Sequence, residues 1–316
     1  MNMRTDARTP WLRYDPPMTA TLSDLARLVD RQWQAHGRET PLDGLLLTRA
    51  DASSGILRSV YRPSFCVVVQ GAKTTMLGDT PFRYAAGQGL LASIDLPVTA
   101  RITRASADEP YLALSLAIDP AMVADLLSAE GDRLAEAPVF APLRVASLDP
   151  VLCDPLARLL ALLDAPGDLA VLAPLVRQEI VWRLLNGPLG ATLRQVGLAD
   201  GHAARIRRAT AHIRDHYAEP LRVADLAALA HMSVPSFHRH FKAATTLTPV
   251  QFQKQIRLQE ARRLLIGAED VAGVGYAIGY ESPSQFSRDY HRLFGAPPGR
   301  DGAAIRAALT PEIALP

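Results

Sequence analysis

Apolar residues follow two different spacings in three successive segments of the chain. Between Ser23 and His36 they recur at helical spacing, which predicts an N-terminal helix. From about residue 44 to residue 118 they form short runs separated by turn residues, a pattern typical of β-strands. From residue 120 to about 196, leucine-rich stretches return to helical spacing. The first two thirds of the chain are therefore predicted to mix helices and strands.

Six short runs in the middle segment combine β-branched, aromatic and other apolar residues. Glycine, proline and aspartate stand between the runs, where they favour tight turns. Short strands separated in this way predict a small antiparallel barrel or sandwich. The runs cover residues 65–70, 73–77, 82–84, 89–93, 98–102 and 111–118.

Two segments near the C-terminus, 223–241 and 271–290, carry the pattern of a helix-turn-helix unit. In each, a short helix of small residues precedes a tight turn and a second helix. A serine at the N-cap and a proline in the first turn begin each second helix. These residues are Ser233, Pro235, Ser282 and Pro283. Two such units about 50 residues apart are typical of one protein that reads two segments of major groove.

Aromatic residues at i and i+4 anchor each second helix and determine which side chains face away from the core. The anchors are Phe237 with Phe241, and Phe286 with Tyr290. Arginine can bond guanine in a bidentate manner, serine and histidine can reach base edges or phosphates, and lysine suits a phosphate. Any one of these side chains could belong to a solvated helix face, but two sets in register with their anchors favour DNA contact. The predicted DNA-contacting residues are Ser233, Pro235, Ser236, His238, Arg239, Lys242, Ser282, Pro283, Ser284, Gln285, Arg288 and Arg292.

A long amphipathic segment, Val250 to Ile266, joins the two units and predicts a linker helix. At 1.5 Å per residue it spans roughly 25 Å, so it can hold two recognition helices about one DNA turn apart. The charge distribution supports this interpretation. Residues 201–300 hold 14 Arg or Lys against 8 Asp or Glu, a net charge of +6, whereas the whole chain is +2. A cationic segment of this kind is the expected electrostatic footprint of DNA binding.

Residues 203–300 resemble the AraC/XylS family of bacterial transcription regulators. The resemblance implies two helix-turn-helix units on a linker helix, promoter DNA bound in successive major grooves, and RNA polymerase as a partner. By position, it places Pro235, His238, Arg239, Pro283, Ser284 and Arg288 at base-facing sites. The motifs that carry it include Asp225-Leu-Ala, Met232-Ser, Ser236-Phe-His-Arg-His-Phe-Lys242, Arg257-Leu-Gln-Glu-Ala-Arg-Arg-Leu-Leu265, Gly279-Tyr-Glu-Ser282, Gln285-Phe-Ser-Arg288 and Phe294-Gly-Ala-Pro-Pro298.

The segment from Pro63 to Leu127 resembles the N-terminal domain of a subset of these regulators. This second resemblance implies a cupin-like domain that senses a small molecule or mediates dimerisation. The expected fold class is therefore α+β: a small antiparallel, cupin-like barrel with helices, followed by an all-α domain of two helix-turn-helix units and their linker helix. The motifs are Pro63-Ser-Phe-Cys-Val-Val-Val-Gln-Gly-Ala-Lys73, Asp95-Leu-Pro-Val98 and Pro110-Tyr-Leu-Ala-Leu114.

Composition shifts divide the chain into five expected segments. Scattered proline and charge at the start predict a disordered tail, and Gly187-Pro-Leu-Gly190 marks the start of a linker. The segments are a tail at 1–18, an effector or dimerisation domain at 19–185 that turns helical from about 120, a linker at 186–203, the DNA-binding domain at 204–300 and a C-terminal tail at 301–316.

Candidate chemistry in the N-terminal half is sparse. Catalytic cupins hold a metal with histidines and a carboxylate, but only His36 of the eight histidines precedes residue 201, so no metal or other cofactor is expected. Cys66 supports an alternative hypothesis: a thiol that senses aldehydes or oxidants, or the nucleophile of a thiol enzyme fused to a DNA-binding domain. A cysteine in an apolar strand more often packs as a small hydrophobic residue. Without a partner base, the leading hypothesis is a regulator and not an enzyme.

Two cysteines, Cys66 and Cys153, provide no disulfide framework and fit a reducing cytosol. The N-terminus shows no leader of basic and then apolar residues, and charged residues interrupt the most apolar region, 151–185. We therefore expect a cytoplasmic protein, forming homodimers, whose partners are promoter DNA and a small-molecule effector. A non-specific architectural DNA binder is a further alternative, which the low positive charge of the two recognition helices disfavours.

Overall fold

In the computed structural model, which describes residues 20–130, 141–197, 202–267 and 270–309, the first element is helix α1 (Leu22–His36). Thr21 and Asp24 form a capping box at its start, each side chain bonding the other residue's backbone N–H. Leu25 and Val29 are fully buried, so the helix predicted from residue 23 is confirmed. The predicted disordered tail, residues 1–18, lies outside the described residues.

The strands form two antiparallel sheets, with strand order β1-β8-β3-β6-β9 in one and β2-β7-β4-β5 in the other. This arrangement confirms an N-terminal domain of antiparallel strands with helices. The described strands are β1 (Leu45–Ala50), β2 (Leu57–Tyr61), β3 (Ser64–Gln70), β4 (Ala72–Leu77), β5 (Thr80–Ala85), β6 (Gln88–Ala92), β7 (Leu96–Arg104), β8 (Tyr111–Ala117) and β9 (Leu143–Ser147).

All six predicted strand runs correspond to strands, β3 to β8. The helical expectation from residue 120 onward is wrong at β9, which pairs with β6 and completes the larger sheet. This strand has only five residues and a single fully buried side chain, Leu143. Its conformation depends on the β6 edge about 50 residues earlier in the chain, and local spacing carries no signal of that edge.

Helices cover the outer face of the larger sheet. Together with α1 they enclose a leucine-rich core that includes Leu114 and Leu116 of β8, Leu156 and Ile180. Within the described ranges, no helix has the length and apolar character that crossing a membrane requires. The covering helices are α2 (Pro120–Glu130), α3 (Cys153–Ala161), α4 (Pro166–Leu185) and α5 (Gly190–Gly197).

Helix α5 lies inside the segment predicted as a linker, residues 186–203. Leu193 and Val196 of this helix are completely buried in the leucine-rich core. A Cβ on Gly197 would lie 2.7 Å from Val123 Cγ1, so this glycine allows α5 to pack directly on α2. The segment predicted as a linker therefore contains a packed helix.

In its described residues, the C-terminal domain contains seven helices. The last helix extends through residues 301–309, so the predicted C-terminal tail at 301–316 is wrong over these residues. Asp301 holds this helix in place: it accepts hydrogen bonds from Arg262 at 2.9 Å and from the Tyr290 hydroxyl at 2.7 Å. The helices are α6 (His202–Asp215), α7 (Val223–Leu229), α8 (Val234–Thr245), α9 (Pro249–Leu264), α10 (Val271–Ala277), α11 (Pro283–Phe294) and α12 (Pro298–Leu309).

A second hydrophobic core joins the two halves of the molecule. It contains residues from the facing sides of both sheets, such as Leu90 and Val98, and residues of the C-terminal domain, such as Ile213 and Phe241. At its edge, Arg214 of α6 donates a hydrogen bond of 2.6 Å to Asp95, a carboxylate only 1% exposed. The motif Asp95-Leu-Pro-Val98 therefore provides a contact between the domains.

Candidate nucleic-acid interface

The first helix-turn-helix unit, α7 and α8, is held by stacked aromatic residues. Phe237 and Phe241 are fully buried with ring centroids 5.3 Å apart, and Phe241 meets Phe252 of α9 edge-on at 5.4 Å. These rings fix α8 both within its unit and against the linker helix. The anchoring predicted from the i, i+4 spacing is therefore confirmed.

The opposite face of α8 is open to solvent. Arg239 makes no hydrogen bond or ion pair with any residue in the described part of the chain, so its guanidinium is available to a ligand. Ser233 occupies the N-cap position, but its side chain makes no capping hydrogen bond, contrary to the expectation of a good cap. Of the predicted residues in this unit, Ser233, Pro235, His238, Arg239 and Lys242 are exposed, and Ser236 is half-buried.

Positive charge influences titration on this side of the unit. His240 stacks against His202 of α6, with ring centroids 4.1 Å apart. Burial, followed by the charges of His202 and Arg239, lowers the pKa of His240. Arg239 thus adds positive charge to this side of α8, which favours contact with a phosphate backbone.

The second unit, α10 and α11, repeats this design. Phe286 and Tyr290 are fully buried, with ring centroids 5.6 Å apart. Ser282 caps α11 by accepting a hydrogen bond from the backbone N–H of Gln285 at 3.4 Å. A Cβ on Gly275 would lie 3.0 Å from the Phe286 ring, so the glycine lets α10 approach α11 closely.

The exposed face of α11 presents the remaining predicted residues. Arg288 has no hydrogen bond or ion pair with the described residues, which makes it equivalent to Arg239 in the first unit. The Arg292 guanidinium lies 3.6 Å from the Asp289 carboxylate. The Lys254 ammonium of α9 forms an ion pair with the same carboxylate at 2.7 Å. Ser284, Gln285, Arg288 and Arg292 are exposed, and Ser282 and Pro283 are half-buried.

Arg257 of α9 connects the two units. Its Nε donates to the Tyr217 carbonyl at 2.6 Å, and one Nη donates to the Glu219 carbonyl at 3.0 Å, both in the turn between α6 and α7. Its other Nη donates to the Gly279 carbonyl at 2.9 Å, in the turn between α10 and α11. Sequence reasoning missed this residue, although it begins the motif Arg257 to Leu265. The linker helix therefore fixes one unit relative to the other.

Cys66 lies on the face of β3 that is turned toward the smaller sheet. Burial raises the pKa of its thiol, although the charges of Lys73 and Arg38 act in the opposite direction. The uncharged thiol therefore dominates at neutral pH. A thiolate nucleophile requires the reverse shift, so this environment does not favour the thiol-based hypothesis.

Comparison with known proteins agrees with this architecture. Residues 41–192 match the family described as the AraC-type transcriptional regulator N-terminus, and residues 226–301 match a helix-turn-helix domain family. The HTH-type transcriptional activator RhaS of Shigella boydii is 32% identical over 109 residues, which are 33% of this chain and 39% of that protein. RhaS of Citrobacter koseri is 31% identical over 156 residues, 48% of this chain and 54% of that protein. The chain thus spans only about half, or less, of the length of these relatives.

Among solved structures, apo ToxT from Vibrio cholerae strain SCE256, a single-residue variant, superimposes with a TM-score of 0.55 at 11% identity. The alignment covers 84% of this chain and 99% of that one, and at this identity it concerns the fold alone. The two family matches, one in each domain, point to the same group of proteins. The arrangement of the domains agrees with them. The chain belongs to the AraC/XylS family of transcription regulators.

Proposed function

We propose that this protein regulates transcription by binding a specific promoter sequence with α8 and α11 in two adjacent segments of the major groove. One observation carries the proposal: Arg239 and Arg288 occupy equivalent exposed positions on two helices fixed to the same linker helix. Arginine at such positions can bond guanine in a bidentate manner, which gives each helix a means of base recognition. Lys242 and Arg292, nearer the ends of the helices, suit the phosphate backbone.

The direction and control of regulation are further parts of the proposal. The RhaS relatives are named transcriptional activators, which supports activation through RNA polymerase. A second ToxT structure, described as unsaturated fatty acid bound, superimposes with a TM-score of 0.50 at 12% identity over 84% of this chain and 96% of that one. Its bound ligand supports control of this protein by a small molecule, and the N-terminal domain is the part that we propose binds it. Such a regulator acts in the cytoplasm, where promoter DNA is accessible.

Dimerisation is supported by an apolar surface on α4. Val171, Leu172 and Leu175 are exposed, and Leu175 has 58% of its surface in contact with solvent. A groove beside them runs between α3 and α4 and is lined by Leu162 and Val176. Apolar side chains grouped in this way support a contact with a second copy of the chain. Sedimentation velocity at increasing concentration tests this, since a monomer at all concentrations excludes a dimer.

Fluorescence anisotropy with two DNA duplexes tests the regulatory proposal. One duplex carries the region upstream of the protein's own gene, and the other has the same composition in random order. Specific binding is expected to persist at a salt concentration where binding to the random duplex is lost. Equal salt dependence on both duplexes would instead indicate a non-specific architectural protein.

Three variants separate base recognition from backbone contact. Arg239→Ala and Arg288→Ala are each expected to weaken specific binding by roughly 1–3 kcal/mol and to relax base preference at one segment. Lys242→Ala is expected to weaken binding to both duplexes by a similar factor. Arg83→Ala removes an exposed cation from β5, outside both units, and serves as the control. If Arg239→Ala lowers affinity equally on both duplexes, its proposed base contact is wrong.

A further inference from the structure

Helix α11 carries a carboxylate, whereas α8 carries none. Asp289 is the only acidic residue of these two helices, which together hold four arginine and lysine residues. It lies one residue after Arg288 and three residues before Arg292, on a helix proposed to contact DNA. An acidic side chain repels the phosphate backbone and lowers affinity for any duplex. The position of Asp289 within α11 therefore points to a role in limiting DNA binding.

Three donor groups surround the Asp289 carboxylate, which is only 8% exposed. The Lys254 ammonium of α9 lies 2.7 Å from it, and the Tyr280 hydroxyl donates a hydrogen bond of 3.4 Å. The Arg292 guanidinium lies 3.6 Å away, on the next turn of α11. The side chains of Lys254 and Arg292 stay 40% and 77% exposed, so both are accessible to a ligand. One enclosed carboxylate thus attracts two solvent-accessible cations.

The first unit has the opposite charge balance. Arg239 and Lys242 are exposed on α8, and no carboxylate of the described residues pairs with either of them. At the position that corresponds to Asp289, one residue before the second aromatic anchor, α8 has His240. Non-specific affinity grows with the number of cations that neutralise phosphates. The first unit therefore offers two unpaired cations to any duplex, whereas in the second unit Asp289 competes with phosphate for the cations beside it.

We propose that Asp289 determines specificity by withholding Lys254 and Arg292 from the phosphate backbone, so that α11 binds tightly only where its base contacts form. On an unrelated sequence, a phosphate has to displace the carboxylate to bind either cation, and no base contact offsets that loss. On the correct sequence, base contacts by Arg288 and Gln285 hold α11 in the groove. The ion pair between Asp289 and Lys254 then keeps the orientation of α11 on α9. The inference rests on the proposed role of α11 in DNA binding, and it adds a residue that limits binding to other sequences.

Asp289→Asn tests the proposal in the full chain, by fluorescence anisotropy on the random duplex at several salt concentrations. Asparagine keeps the size of the side chain and an oxygen that can accept from Tyr280, but it carries no charge. One further phosphate contact steepens the fall of log K with log salt by roughly 0.9, which corresponds to about eight-fold in affinity at about 0.1 M salt. The variant is therefore expected to bind the random duplex about eight-fold more tightly, with the steeper salt dependence.

On the upstream duplex, the gain from Asp289→Asn is expected to be smaller. The substitution also removes the ion pair that orients α11 on α9, and only the specific complex depends on that orientation. The ratio of the two affinities is therefore expected to fall. Far-UV circular dichroism checks that the variant is folded, and Asp289→Ser is a second neutral substitution with the same expected result.

Lys254→Met breaks the same ion pair from the other side. In this proposal Lys254 does not contact DNA, and its loss leaves Arg292 as the remaining cation beside Asp289. Binding to the random duplex is therefore expected to weaken, which is opposite to the effect of Asp289→Asn. An ion pair that only held α11 in place would give a change in the same direction from both substitutions.

Glu260→Gln is the matched control. It removes one negative charge from the same domain and releases Arg263, but the pair lies within α9 and involves neither α8 nor α11. Because exposed charges away from the DNA are screened by salt, random-duplex affinity is expected to change by less than about two-fold.

Three results would overturn the proposal. These are unchanged or weaker binding of the random duplex by Asp289→Asn, an equal gain from Glu260→Gln, or a gain from Lys254→Met as well. If the native chain prefers the upstream duplex while Asp289→Asn leaves both affinities unchanged, the role of Asp289 is refuted and the regulator proposal stands. If the native chain binds both duplexes alike, the regulator proposal fails, while the random duplex still decides whether Asp289 withholds these cations.

Discussion

At the residue scale, Arg257 links the two helix-turn-helix units through backbone carbonyls in two turns. Guanidinium is planar and carries five donors in a fixed arrangement, so one side chain can bond carbonyls in two separate turns. The geometry also depends on Gly279, because a Cβ there would lie 2.1 Å from the Ala218 carbonyl oxygen. The two turns and the arginine therefore form one unit, which sets the spacing of α8 and α11.

Arg257→Met is expected to lower the free energy of unfolding by about 2–3 kcal/mol, because carbonyls that accept from a charged donor lose their partner. It is also expected to weaken specific DNA binding without changing base preference. Urea unfolding and anisotropy measure the two effects. Arg263→Met, on the same helix but 68% exposed and paired only with Glu260, is expected to change stability little. Equal effects of the two substitutions would contradict the linking role of Arg257.

Contacts between individual residues differ in how well the sequence predicts them. The cap of Ser282 on α11 spans three residues, and the burial of Phe286 follows from local spacing, so both are predictable from the sequence. The partners of Arg257 lie up to 40 residues away. The bond from Arg214 to Asp95 spans 119 residues. Contacts of this range depend on the assembled fold, and no local pattern encodes them.

At the element scale, the same distinction explains which segments the sequence predicts. Helices α8 and α11 carry their own start signals and apolar stripes, and β3 to β8 carry strand-like runs bounded by turns. By contrast, the conformation of β9, α5 and α12 depends on distant neighbours. For α5 the deciding feature is the contact of Gly197 with α2, and for α12 it is the ion pair of Asp301 with Arg262 at 2.9 Å.

Gly275→Ala tests whether α10 needs a glycine where it crosses α11. In a free helix this substitution stabilises by about 1 kcal/mol. Here the new Cβ would lie 3.0 Å from Phe286, whose ring packs against Tyr280 and Tyr290 with centroids 5.6 Å from each. We therefore expect a net loss of about 1 kcal/mol in urea unfolding, as in other overpacked cores.

The control for this substitution is Gly167→Ala in the first turn of α4. A Cβ at Gly167 meets nothing within 4 Å, so the helix preference alone is expected to act and stability is expected to rise slightly. A stabilising Gly275→Ala would show that α11 moves freely away from α10, which the close packing argues against.

At the scale of the whole molecule, the DNA-binding domain is joined to the sheets by contacts at both recognition helices. Thr246, just beyond α8, packs against Gly78 in the turn between β4 and β5. Phe294, at the end of α11, lies under the guanidinium of Arg58 at 5.6 Å. Arg239 and Arg288 lie near the middle of these helices, more than one turn before Thr246 and Phe294. A change in the sheets can therefore reach the recognition helices without occupying the surface proposed to bind DNA.

The shared hydrophobic core predicts that the two domains unfold together. Scanning calorimetry of the native chain is expected to show one transition, because separating the domains would expose Ile206 and Ile213 of α6. Two resolved transitions in the native chain would contradict this expectation.

Arg214→Met is expected to break this cooperativity, because it leaves the buried Asp95 carboxylate uncompensated at the interface. The expected loss is about 3 kcal/mol, with the domains then melting separately.

Burial already raises the pKa of Asp95 despite the opposing charge of Arg214, and removing that charge raises the pKa further. The folded variant then binds a proton more readily than the unfolded chain, so its deficit is expected to grow as the pH rises through this pKa and to shrink in acid. Adding Asp95→Asn removes the buried charge and is expected to recover part of the loss. A deficit independent of pH, or one that Asp95→Asn does not reduce, would show that the ion pair does not hold the domains together.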